Sequence, residues 1–139
     1  MQEIYLFDAT VQGNGQATTG ITPQKLKGTS ARLIWQTGTA ERAVVCDVGY
    51  NGRRISFRTG TAIGGNALIG LFDKDGDCIW SWHIWHTNYD PWATAQTCAS
   101  GYTFMDRNLG AITTSVSDPS LRGLTTSGDA PPPFFIPPP

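Results

Sequence analysis

At 139 residues the chain has the length of one domain, enough to bury roughly two-thirds of its unfolded surface in a core without staples. A net charge of −1, with 15% charged residues and no run of like charges, excludes the electrostatic footprint of a nucleic-acid or anionic-membrane binder. No run of about 18 apolar residues occurs, so no membrane span is expected. Met1-Gln2-Glu3 lacks a basic start and an apolar stretch behind it, so no signal peptide is expected.

In chain order, Glu3 to Ala9 reads as a first strand, rich in aromatic and branched residues. Gln12 to Gln16 is a Gly-Asn-Gly turn, and Thr18 to Thr29, broken by Pro23 and Gly28, is a long connection. Ala31–Gln36 and Arg42–Val48 are a second and a third strand. Asn51-Gly52 follows, the strongest short hairpin signal, because a type I′ turn needs positive φ at both central positions. In the fourth strand, Arg53–Arg58, Ile55 and Phe57 share one face while Arg54, Ser56 and Arg58 share the other, the pattern of a strand with one wet face. Asn66–Phe72 is a fifth strand. Asp73-Lys74-Asp75-Gly76-Asp77 then turns the chain into a sixth, Asp77–His86, which carries three of the five tryptophans and both histidines. Its two faces are both largely apolar, so it reads as the central strand. Pro91 closes this run, and Gly101–Arg107 is a short seventh strand. The last residues, Ala130 to Pro139, hold Phe134-Phe135-Ile136 between proline triplets and must be extended or polyproline II. Short strands at regular spacing predict an all-β domain. It is expected to be a single antiparallel β-sandwich of Ig-like, Greek-key type, with six to seven strands over residues 1–111 and an irregular, Pro-rich arm over 112–139.

Four places invite chemistry. Strand alternation puts His83 and His86 on opposite faces, where they cannot easily grip one ion. The alternate aspartates of Asp73–Asp77 resemble the start of a calcium loop, but the sixth and twelfth positions are Cys78 and Ile84 rather than glycine and glutamate, so a hairpin turn is expected. Adjacent Asp106 and Arg107 are expected to hydrogen-bond separately, anchoring the chain as it leaves the sheet. Cys46, Cys78 and Cys98 lack zinc spacing; the first two sit in strand-like runs, where a free thiol acts as a small hydrophobe. No G-x-S-x-G elbow and no phosphate-binding glycine loop opening a helix are present, so no catalytic residue, metal ligand or cofactor is assigned.

Trp80-Ser81-Trp82-His83-Ile84-Trp85, followed by Asp90-Pro91 and then Phe104-Met105-Asp106-Arg107-Asn108-Leu109-Gly110-Ala111, resembles the signature of fimbrillin-like and major-paralogous-domain (FISUMP-type) surface proteins of gut anaerobic bacteria. Ala9–Gly15, Ser30–Trp35 and Gly64–Ala67 fit the same pattern, so the resemblance covers about residues 3 to 111. It implies a non-enzymatic, extracellular or cell-surface module used in fimbriae, display or adhesion. Relatives carry an export signal and continue past the Asp-Arg-Asn-Leu-Gly-Ala segment. A chain that lacks the signal and runs into a proline arm also suits a bacteriophage capsid or tail decoration protein, with a virion-surface location.

The expectation is therefore a structural or adhesion module that self-associates into an appendage, filament or particle through its sheet edges and its arm. Phe134, Phe135 and Ile136 are the apolar plug in that arm. The alternative is a carbohydrate-binding module in which Trp92, Tyr89 or Trp35 stacks on sugar rings.

Overall fold

The computed structural model describes residues 3–39, 41–115 and 117, with the backbone of Thr125–Thr126 and Phe135–Ile136. Phe134 and the side chains of Phe135 and Ile136 lie outside the described residues. The strands are β1 (Ile4–Asp8), β2 (Ser30–Gln36), β3 (Val45–Tyr50), β4 (Arg54–Thr59), β5 (Gly65–Phe72), β6 (Cys78–His86), and four two-residue strands: β7 (Gln96–Thr97), β8 (Thr103–Phe104), β9 (Thr125–Thr126) and β10 (Phe135–Ile136). Among the described residues no helix is long and apolar enough to cross a membrane.

The long strands form two antiparallel sheets, β1-β4-β3 and β2-β5-β6; β7 pairs with β8, and β9 with β10. Lettered as in an immunoglobulin domain, the two sheets occupy positions B-E-D and C-F-G, a Greek key. The A position, beside β1, is unfilled among the described residues. The sheets close on Val45, Ile55 and Phe57 from one side and Ala67, Ile69 and Leu71 from the other, all buried. Phe7 of β1 meets Trp82 of β6 across the gap at 5.1 Å, so these two strands lie on the same flank of the sandwich. On the opposite flank the Gln36 side chain accepts the Val44 and Val45 N–H groups at 2.7 and 2.9 Å, tying β2 to β3.

The Trp-rich strand is not central. β5, buried at every position, lies between β2 and β6, and β6 is an edge whose residues are all half-buried. What gave β6 two apolar faces is a second layer. Residues after His86 fold over the outer side of the sheet, where the Tyr89 ring packs on Trp85 and Asn66 is buried. There the Asn66 side-chain amide donates to Gly110 O at 2.8 Å, and Ala111 is fully buried.

The hairpins form where the Asn-Gly and Asp-Gly pairs stand, with different details. At Asn51–Arg54 only Gly52 has positive φ (92°), the first central position of a II′ turn rather than both positions of a I′ turn. Asn51 instead caps the turn, its side-chain oxygen accepting the Arg53 and Arg54 N–H groups. At the β5–β6 turn the Asp73 carboxylate accepts from Asp75 N and Asp77 N, and Gly76 takes positive φ (85°). The third strand begins at Val45 rather than Arg42. The seventh shrinks to Thr103–Phe104 and pairs with β7, which no alternation in the sequence announces.

Candidate functional site

Sheet edges are the reactive features of this fold, because an edge strand exposes a row of unpaired N–H and C=O groups. Two sheets of three strands have four edges: β1, β3, β2 and β6. Three of them carry an extra residue that breaks the ladder. In β2 it falls at Ile34 between Leu33 and Trp35, in β3 between Cys46 and Gly49 with Asp47 at φ 54°, and in β6 at Ile79 between Cys78 and Trp80. Such bulges twist an edge away from further pairing. β1 has none: its register against β4 runs unbroken from Ile4↔Arg58 to Asp8↔Arg54.

The hydrogen bonds Ala9 N to Arg53 O and Thr59 N to Glu3 O fix which β1 groups face β4. Odd-numbered residues point inward to β4, so the backbone groups of Ile4, Leu6 and Asp8 point outward. No lysine or proline blunts this edge. Ile4 and Leu6 are 58% and 60% exposed.

Between β1 and β6, on the same flank, runs a groove of about 270 Å³ walled by Tyr5 and Phe57 on one side and Ile84 and His86 on the other. Tyr5 and Phe57 stack at 5.4 Å, and the Tyr5 hydroxyl donates to the Glu3 carboxylate, which raises the phenol pKa. Trp85, Thr59 and Thr87 complete the lining. The His86 Nδ1 is buried and has no hydrogen-bond partner among the described residues.

The residues expected to contact a partner or glycan are scattered. Trp92 is 83% exposed on the turn Asp90–Ala93, with its N–H held by the Asp90 carboxylate at 3.0 Å. Tyr89 is half-buried: the Arg107 guanidinium lies 3.8 Å over its ring and the Trp85 ring packs against it at 5.5 Å. Trp35 is half-buried beside Leu68, with its indole N–H buried and unpartnered among the described residues. Of the three rings only Trp92 offers an open face, and it is not part of the β1–β6 groove. Sequence reasoning missed that groove. Its signal was the alternation of Tyr5 and Phe7 against Ile4 and Leu6, apolar on both faces of a first strand.

Asp106 and Arg107 do not anchor separately. They pair with each other, Arg107 Nε to Asp106 Oδ1 at 3.0 Å, because the chain has left the extended conformation in which neighbours alternate. The Arg107 hydrogen bond is the main cause of the lowered Asp106 pKa. His83 lies beside Leu68 and His86 beside Gly65, three residues apart on opposite faces of the sheet. Among the described residues no group of three His, Cys, Asp or Glu side chains could hold a metal ion. All three cysteines are free thiols.

A second cleft, about 430 Å³, opens at one end of the sandwich beside Thr39, Arg42, Ile63, Asn88 and Ile112. It brings together one cation, neutral hydroxyls and amides, and exposed aliphatic carbon; among the described lining residues no carboxylate or imidazole stands ready as a general base. Compared with known proteins, the chain matches no family model, no curated protein and no solved structure.

Proposed function

We propose that this protein is a non-enzymatic structural module. It builds a surface appendage, filament or particle by self-association through a sheet edge and its Pro-rich arm, outside the cell, at the cell surface or on a virion. The single observation that carries the reading is β1: a regular, unbulged edge with outward backbone groups and exposed Ile4 and Leu6, in a fold whose other three edges are bulged. An added strand gains main-chain hydrogen bonds, and pockets for alternate side chains give selectivity. The expected result is that purified protein forms ordered multimers visible by electron microscopy. Leu6→Lys, which puts a charge on an already exposed position, should leave the melting temperature within a few degrees and convert those multimers to monomers. Unchanged particle mass for Leu6→Lys by light scattering would count against edge pairing.

The exposure of Trp92 supports a second reading, a glycan-binding module. If it holds, a glycan array shows binding that Trp92→Ala removes while multimers persist. Under the assembly reading the array is silent and Trp92→Ala assembles normally.

A further inference from the structure

We propose that the groove between β1 and β6 is the seat of the arm Pro131–Pro139 from a neighbouring copy; this rests on the assembly reading above and names its partner surface. The groove joins two features. It is an aromatic and aliphatic slot, with Tyr5 and Phe57 facing Ile84 and His86. It also runs beside β1, whose unbroken register leaves a regular row of backbone donors and acceptors unpaired among the described residues. Aromatic-walled slots suit polyproline segments, which arrive already extended and lose little entropy on docking. A free edge suits a short strand.

The arm has both characters in one stretch. Its proline triplets have no N–H to satisfy, so they can lie in the slot without leaving a donor unpaired. Between them, Phe134-Phe135-Ile136 are the residues with N–H groups to give. Three residues of strand cover about 10 Å, the length of Ile4–Leu6. Alternation then puts Phe135 on one side of the added strand and Phe134 and Ile136 on the other, so apolar side chains reach the groove whichever way the arm faces.

Among the described residues, the backbone of Phe135 and Ile136 pairs with Thr126 and Thr125, a ladder of two residues. An isolated pairing of that size is marginal in water. The exchange therefore replaces a weak internal ladder with a seat on a formed sheet. The chain between Ser117 and Phe134 can extend to about 55 Å, enough to cross to an adjacent copy.

The test uses the full chain with a photo-crosslinking benzoylphenylalanine at Phe135. Isotope-labelled and unlabelled copies are mixed, irradiated and read by mass spectrometry. The expected product joins the arm of one copy to a peptide holding Tyr5, or one holding Ile84 to Thr87, of the other. Tyr5→Ala and, independently, Ile136→Asp should each lower its yield about tenfold, the loss typical of a central interface residue. Tyr5 is 42% exposed and Ile136 lies in the arm, so two unrelated changes guard against one of them merely unfolding the domain. Multimers that form but crosslink elsewhere, or only within one copy, overturn this proposal and leave edge assembly standing. A chain that stays monomeric at every concentration overturns both.

Discussion

Replacing Asn66 by alanine is expected to lower the unfolding free energy by about 3 kcal/mol, measured by urea denaturation, with no change in a surface control such as Lys74→Ala. Asn66 is 3% exposed and is the polar pin between the sandwich and its outer cover. Its amide nitrogen donates to Gly110 O at 2.8 Å, its amide oxygen lies 2.8 Å from His83 Nε2, and its backbone N–H donates to Thr37 Oγ1 at 2.9 Å. Because the amide oxygen can only accept, His83 must present Nε2–H there, which fixes its neutral tautomer. Alanine removes the donor that serves a buried carbonyl and the acceptor that orients the ring. Each such loss costs about 1–3 kcal/mol. A pH series supplies a second readout. Burial lowers the His83 pKa from its ordinary 6.5. As pH falls through that value the unfolded chain takes up a proton before the folded one does. The contribution is therefore complete above pH 6.5 and is lost progressively below it. A wild-type urea midpoint that does not fall between pH 7 and pH 5 would contradict this account of the His83 site.

The six long strands were legible because each carries local information. Ile55 and Phe57 alternate with Arg54, Ser56 and Arg58, and the glycines of Asn51-Gly52 and Asp75-Gly76 mark turns at which φ must turn positive. Which strand lies at the centre was not legible, because composition reports how buried a strand is and not which neighbours bury it. β6 holds three tryptophans yet among the described residues has a strand partner on one side only; its second apolar face is met by chain that follows it. β5, with Gly65, Asn66 and Gly70, looks the weaker strand in sequence and is the buried one. Gly70 is there because a Cβ would come within 2.9 Å of both Ile34 and the Phe72 ring. The bulges were hidden for a related reason. An extra residue at Ile79 exists only relative to β5, and it brings Ile79 to the core beside Trp82 and Ile84 in defiance of strict alternation. The free edge of β1 is likewise a property of strand order, which nothing within Glu3 to Ala9 specifies. Trp92, by contrast, stood beside Pro91 in a turn, and a turn residue is exposed for local reasons.

The same centre-versus-edge distinction sets the last prediction. Ile69→Ala should cost about 4 kcal/mol, whereas Trp80→Ala, although it deletes the larger side chain, should cost only about 1–2 kcal/mol. Ile69 is fully buried in the core cluster, flanked in register by Leu33 of β2 and Trp82 of β6 and faced by the opposite sheet. Strands on both sides hold those neighbours in their ladders, so they cannot close the space that alanine leaves, and an uncollapsed cavity adds its own cost to the lost transfer energy. Trp80 sits on the edge strand next to the Ile79 bulge and is half-buried. Its truncation opens a space that solvent or a shifted β6 can fill. For a domain of this size the first change lowers the melting temperature by roughly 15 °C and the second by roughly 5 °C, read by calorimetry at one pH and concentration. If Trp80→Ala proves the more damaging of the two, β6 rather than β5 carries the centre of the sheet. The free flank assigned to β1 and β6 would then have to be abandoned with it, because β6 could no longer be an edge.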